Sequence, residues 1–277
     1  MSSAAAPAAD ADAGADADAD AFQLRDVTVR FAELTALDRI SVRIARGEKV
    51  GFVGPSGSGK TTLLRLLNAS LAADDGTLIA LGQPFDRLDG ASLKTLRRSI
   101  GLVPQRFHLV ASVRVIQNVL LGRLGQQGFW ASARSFLFPR QAEQVAVYEV
   151  LQRVGIGEKL FAKTDHLSGG QQQRVAIARA LYQAPEALLA DEPVASVDPT
   201  RARATIELLT QLAKEEDLTL GISLHDQELA RAYLPRLIGL RHGRIFKDAP
   251  TEEWTDADFE ALYHLSDTEL MEDGSGG

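Results

Sequence analysis

Residues 22–31, FQLRDVTVRF, alternate apolar and polar side chains, and ISVRI (40–44) does the same. A period of two predicts strands with one buried face. EKVGFVG (48–54) is a short apolar run, as are SIGLV (99–103), ALLAD (187–191) and LTLGIS (218–223); such runs suit strands covered on both faces. Helical spacing governs other stretches. TTLLRLLNAS (61–70) places Leu63, Leu64, Leu66 and Leu67 on one broad face, and PTRARATIELLTQLAKEED (199–217) predicts a helix between two of the core strands. RLIGLRHGRIFKD (236–248) predicts a hairpin turning at His242-Gly243, and TEEWTDADFEALYHL (251–265) a closing helix. Between 106 and 165 the helical patterns VIQNVLLGRLG and RQAEQVAVYEVLQRVGI flank QQGFWASARSFLFP, with no strong strand signal. The expected class is therefore α/β: a mainly parallel sheet covered on both faces, interrupted by a helical lobe at 106–165. No internal repeat is present.

The 277 residues are 45% hydrophobic and 24% charged, enough apolar mass for a substantial core. There is no cysteine, which excludes disulfides and thiolate zinc sites. A net charge of −7 argues against a general nucleic-acid binder. No run of about 18 apolar residues could span a membrane, and the N-terminus lacks the pattern of a signal peptide. Residues 1–21 are rich in alanine and carry Asp10, Asp12, Asp16, Asp18 and Asp20 without a basic residue. They are expected to be a disordered tail, with order over 22–265 and a second flexible tail at 266–277.

The chemistry starts at Gly54-Pro55-Ser56-Gly57-Ser58-Gly59-Lys60-Thr61, followed by Thr62. Gly-x-x-x-x-Gly-Lys-Thr between a strand and a helix is a phosphate-binding P-loop: the glycines let backbone N–H groups wrap phosphate oxygens, Lys60 adds positive charge, and Thr61 can bind Mg²⁺. ALLADEP supplies Asp191 at a strand end, where a carboxylate beside the loop can hold Mg²⁺, and Glu192, where a carboxylate can orient an attacking water. HLSGGQQQRVAIARAL (166–181) then offers a second cradle, since Ser168-Gly169-Gly170-Gln171 opens straight into a helix.

Leu167-Ser168-Gly169-Gly170-Gln171 and its helix resemble the signature sequence of ABC-type ATPases. That resemblance implies a P-loop NTPase core with a mainly parallel sheet, an antiparallel β subdomain and an inserted helical subdomain. It implies ATP and Mg²⁺, and a head-to-tail homodimer in which Ser168, Gly169, Gly170 and Gln171 close over the nucleotide of the opposite subunit. Other motifs of the family follow in order over nearly all of 22–265. Gln105 in LVPQRF matches the Q-loop glutamine that reaches Mg²⁺ and water, and Asp198 in ASVDP the D-loop aspartate. His225 in SLHD matches the switch histidine at the γ-phosphate, and Phe31 the aromatic that stacks on adenine. Two departures stand out. Ala-Ser-Val-Asp replaces the more usual Ser-Ala-Leu-Asp, which leaves the contacts of Ser196 open, and Phe31 replaces the commoner tyrosine. By this resemblance Lys60, Glu192 and His225 are catalytic, Thr61, Gln105 and Asp191 serve the metal, and Phe31, Gly54 to Thr62 and Gln105 bind nucleotide.

NVLLGRLG, FWASARSFLFPR, SLHDQELARAYLPRLIGLRHGRI and DFEALY together resemble the ATP-binding subunits of bacterial phosphonate importers. This implies a peripheral subunit on the cytoplasmic face of the membrane, working as a homodimer beneath integral permease subunits, fed by a solute-binding protein and binding no nucleic acid. Phosphate or phosphite, methionine and polar amino-acid importers share the plan, so another solute is the main alternative. A soluble ABC ATPase acting on DNA or the ribosome, and an exporter subunit, are the others. Phe129, Trp130, Phe136 and Phe138 interleave with Arg123, Arg134 and Arg140. Core packing under a solvated basic face and a docking or lipid-facing surface both remain open for that stretch.

Overall fold

The computed structural model describes residues 20–124, 128–195 and 198–264. Two sheets share the work. A four-stranded antiparallel sheet has the order β2-β1-β4-β5, from β1 (Asp20–Phe31), β2 (Leu34–Ala45), β4 (Asp75–Ala80) and β5 (Gln83–Pro84). A six-stranded sheet has the order β10-β9-β3-β8-β7-β6. Its strands are β3 (Lys49–Val53), β6 (Ile100–Val103), β7 (Ala187–Ala190), β8 (Thr219–Leu224), β9 (Arg236–Arg241) and β10 (Arg244–Pro250). Every neighbouring pair is parallel except the β9–β10 hairpin.

The apolar runs are continuous because both faces of the parallel sheet are covered. Successive side chains on a strand point to opposite faces. Ala187 and Leu189 join the core that contains α1 (Lys60–Leu67) and the antiparallel sheet, whereas Leu188 and Ala190 join the other core. β9 divides likewise, with Ile238 and Leu240 on the first side and Leu237 on the second. All four leucines of α1 are fully buried. Burying four such side chains contributes on the order of 6–12 kcal/mol before chain entropy is counted. The second core is built by α6 (Gly169–Leu181), α7 (Pro199–Glu215), α8 (Gln227–Tyr233) and α9 (Asp256–Tyr263).

α2 (Gly90–Ser99) leads into β6, and then α3 (Val115–Leu120), α4 (Phe129–Leu137) and α5 (Gln141–Arg153) form the lobe. α3 and α5 both pack on α6, which also contacts β6. The second cradle thus sits on a helix shared by lobe and core. α4 decides between the two readings left open for its aromatic residues. It buries Ser132 and Ser135 while Trp130, Leu137 and Phe138 stand exposed, so core packing does not describe its outer face. Arg134 pairs with Glu143, and Arg123 lies over the Tyr182 ring.

Three boundaries differ from expectation. Strand β1 starts at Asp20, and Ala21 is fully buried and accepts a hydrogen bond from Leu81 N–H, so order begins two residues earlier than 22. The remaining tail residues, 1–19 and 265–277, lie outside the described residues. The helix expected to reach 217 ends at Glu215, with Asp217 in the left-handed region. The closing helix is split. Thr251–Glu253 is one tight turn, and α9 starts afresh at Asp256 because the Thr255 hydroxyl accepts the Asp258 N–H as an N-cap. The strands β4 and β5 and helix α2 had no clear sequence signal; β4 is short and its first three residues are exposed.

Candidate functional site

The phosphate loop leaves the buried end of β3 and enters α1. Gly54 has φ 147°, and a Cβ there would lie 2.2 Å from the Leu240 carbonyl oxygen. Gly59, with φ 104°, is the residue before α1, and a Cβ there would meet the Ala36 carbonyl at 2.8 Å. Only glycine fits such backbone at such range. Lys60 opens the helix, is buried, and donates from Nζ to the carbonyls of Gly54 at 2.7 Å and Pro55 at 2.9 Å. Burial pushes its pKa down, against the opposing pull of the Glu192 and Asp191 carboxylates.

Residues from four distant parts of the chain meet beside it. Thr61 Oγ1 donates to Asp191 Oδ1 at 3.1 Å, and Ser223 Oγ donates to the same oxygen at 2.9 Å. The Ser223 hydroxyl also accepts the Glu192 N–H at 2.7 Å. Glu192 itself adopts φ 44°, a conformation that costs a non-glycine residue roughly 1–3 kcal/mol. Ser223 thereby helps hold a strained turn that aims the glutamate. Glu192 Oε2 accepts from Gln105 Nε2 at 2.9 Å, and Oε1 lies 2.5 Å from His225 Nε2. The Gln105 amide is turned to Glu192 rather than to Asp191. The carboxylate at 192 can therefore take a proton or orient a water between an amide and an imidazole.

A cavity of about 400 Å³ extends from this cluster and is lined by Gly57 to Thr62, Glu192, Phe31, Leu34, Thr35, Ala36, His242 and Gly243. Its size falls within the range of small-molecule sites. Phe31, partly exposed, gives one flat apolar wall, and Gly54, Pro55 and Ser56 do not line it. The hairpin turn reaches this place because Gly243 N–H donates to the Ser58 carbonyl and its carbonyl accepts the Asp38 N–H.

The residues present fit a nucleotide with a hard divalent cation. Ser58 Oγ is buried without a hydrogen-bond partner inside the glycine-rich loop, an orphan donor of the kind a phosphate oxygen satisfies. Thr61 Oγ1 and Asp191 Oδ1 are hard oxygens on neighbouring elements. Among the described residues no group of three or more His, Cys, Asp or Glu could hold a metal. Mg²⁺ suits that sparse set, since it keeps waters and binds through substrate phosphates.

Ser168 to Gln171 lie elsewhere. Ser168 caps α6, accepting the Gln171 N–H at 3.4 Å while Gln171 Oε1 accepts the Ser168 N–H at 3.1 Å. Nothing lies within 4 Å of a Cβ built at Gly169 or Gly170. Ser168, Gly170 and Gln171 line a separate hollow of about 310 Å³, together with Arg174, Arg201 and Thr205. Asp198 caps α7 by accepting the Arg201 N–H at 3.1 Å. Ser196 lies outside the described residues.

Sequence reasoning missed several contributors. Ser223 was visible only as one of two hydroxyl residues, with Thr219, in an apolar strand. Ala36, His242 and Gly243 come from β2 and the β9–β10 turn, and although the turn itself was predicted, no local pattern places them at the nucleotide cavity. Tyr263, at the end of α9, accepts the Gly54 N–H at 3.1 Å and donates to the His225 carbonyl at 3.3 Å.

Comparisons with known proteins supply the family. The protein-family model described as ABC transporter matches residues 37–195. The chain is 42% identical over 243 residues to the Phosphonates import ATP-binding protein PhnC of Pseudomonas putida, covering 88% of this chain and 90% of that one. It is 45% identical over 229 residues to the protein of the same name in Frankia casuarinae, covering 82% and 89%. Among solved structures, cbiO1 from Clostridium perfringens, part of the ABC transporter complex cbiONQ, superposes with a TM-score of 0.74 at 28% identity, covering 92% and 94%. The dimeric ATP-binding cassette MJ0796 bound to ADP and Pi gives 0.71 at 30% identity, covering 84% and 100%. Family model, relatives and solved cassettes coincide on one reading: the chain belongs to the ATP-binding family of ABC transporters.

Proposed function

We propose that this chain is the ATP-hydrolysing subunit of an ABC importer for phosphonates, working as a homodimer on the cytoplasmic face of the membrane beneath permease subunits and served by a solute-binding protein. The observation that carries the motor reading is the meeting of Lys60, Thr61, Asp191, Glu192, Gln105 and His225 around one phosphate loop. The cargo rests on the relatives named for phosphonate import. Among the described residues no helix is long and apolar enough to cross a membrane.

The loop N–H groups and Lys60 bind the ATP phosphates, and Phe31 stacks on the base. Thr61 and Asp191 would hold Mg²⁺, which would neutralise phosphate charge there. Glu192 orients and polarises the attacking water, with Gln105 and His225 setting its two oxygens. His225 also contacts the γ-phosphate. The open N-terminus of α6 faces the γ-phosphate bound by a second copy, with Ser168 and the N–H groups of Gly169 and Gly170 as donors, and Asp198 lies at that seam. ATP then stabilises the closed dimer by binding between two chains, and product release reopens it.

Growth of a deletion strain on a phosphonate as sole phosphorus source, with inorganic phosphate as control, tests cargo and motor together. Failure on phosphonate alone, rescued by the wild-type gene and not by Glu192→Gln, is the expected result. Normal growth on phosphonate, with no second uptake system, removes phosphonate as the cargo and leaves the ATPase standing.

A further inference from the structure

The phenol of Tyr263 stands 209 residues from Gly54 along the chain, yet it joins two parts of the nucleotide site that otherwise belong to different loops. Its oxygen accepts the N–H of the first residue of the phosphate loop and its proton goes to the backbone carbonyl of His225. Two consecutive bonds through one hydroxyl polarise each other. Burial raises the phenol's pKa, so the group remains a donor throughout the neutral range.

The placement is rigid. Gly239 on β9 leaves the space filled by the Trp254 ring, which a Cβ would approach to 2.5 Å. Phe259 is buried with its ring 4.9 Å from that of Trp254. Arg241 donates to the carbonyls of Ala261 at 2.7 Å and His264 at 2.8 Å, so the helix end is tied down on both sides of Tyr263. Such a strut costs little to keep ordered while nucleotide binds and leaves.

We propose that Tyr263 is a positioning residue for ATP hydrolysis: its hydroxyl sets the distance between the start of the phosphate loop and His225, and through His225 the aim of Glu192. The proposal rests on the reading of His225 as a group of the reaction. A phenylalanine at 263 keeps the ring and its packing, and leaves the Gly54 N–H and the His225 carbonyl unbridged.

The experiment compares wild type, Tyr263→Phe, His225→Ala and the double variant by steady-state ATPase rate, nucleotide Kd and melting temperature. In Tyr263→Phe, kcat should fall about fivefold, the rate equivalent of one neutral hydrogen bond. Nucleotide Kd should stay within about twofold, because the Lys60 contacts are untouched. The double variant should match His225→Ala, since coupled residues are non-additive. An unchanged kcat in Tyr263→Phe, a loss that recurs in the His225→Ala background, or a Kd that worsens in step with kcat would each overturn the proposal. A His225→Ala enzyme with the wild-type rate would instead remove the role of His225, and Tyr263's with it. Should Tyr263→Phe fail to fold, Arg241→Gln, which frees the helix end, takes its place: a loss confined to kcat supports the proposal, and an unchanged kcat overturns it.

Discussion

Two helices of this chain begin with glycine-rich segments, and their surroundings differ. At α1 the glycines have positive φ, Gly54 and Gly59 lie against the carbonyls of Leu240 and Ala36, and the loop encloses a buried lysine. At α6 the glycines meet nothing, and the capping serine is exposed. Both present N–H groups at the positive end of a helix dipole. The first is a complete cradle within one chain, because loop, strand β3 and the β9–β10 turn already surround it. The second is open, and on the function proposed above it is half a site completed by a second copy. An open helix terminus attracts anions but does not exclude water, so it contributes strongly only once covered.

The widest separation between the two cradles is expected from Glu192→Gln. The variant should retain ATP and accumulate as a nucleotide-bound dimer, while hydrolysis falls by several orders of magnitude, about 4 kcal/mol or more. Phosphate release and size-exclusion chromatography with ATP measure both. A near-normal rate would remove the glutamate from the reaction. Ser168→Arg should abolish hydrolysis while a monomer still binds ATP at the Lys60 loop, because only the uncovered cradle is obstructed. Simultaneous loss of binding would break the contrast and indicate a damaged fold.

A glycine pair tests the geometry without chemistry. Gly59→Ala should lower stability by about 1–3 kcal/mol, from positive φ and the contact with Ala36. Gly170→Ala should shift the melting curve little, since open space receives the methyl group. Equal effects would mean that the two loops are equally enclosed. The smallest effect concerns α9. Lys247, ahead of the Thr255 cap, holds the Asp258 carboxyl down at about 2 from an ordinary 3.8. A depressed folded pKa contributes stability that is present above 3.8 and lost as pH falls towards 2. The difference in stability between wild type and Asp258→Asn in urea should therefore shrink through that window, and a difference constant down to pH 2 would exclude the carboxylate as its source.

Helix α4 marks a limit of pattern reading. Its sequence left a core face and a docking surface both open, and in the structure two serines turn inward and Trp130, Leu137 and Phe138 outward. Periodicity gives the angle between residues on a helix and not which side meets the protein. The D-loop presents another limit, because Ser196 falls outside the described residues.

What the sequence by itself determined was local and contiguous. The alternation in 22–31 marks a strand with buried and exposed positions, the run ALLA a strand buried on both faces, and Gly54 to Thr61 a phosphate loop, because backbone geometry and nearby side chains decide these within a few residues. The order of Gln105, Ser168, Asp191, Glu192, Asp198 and His225 was equally readable, since each lies in a short motif. Tertiary structure alone decided which of them meet. Parallel strands β3, β7 and β8 bring residues 61, 191 and 223 to one end of the sheet, while α6 carries Ser168 to Gln171 to another hollow. Tyr263, Gly243 and Ala36 belong to the site through packing across more than two hundred residues of chain. Hydrogen bonds formed at such separation leave no periodicity in the sequence, because their partners are chosen by the folded surface and not by neighbouring residues.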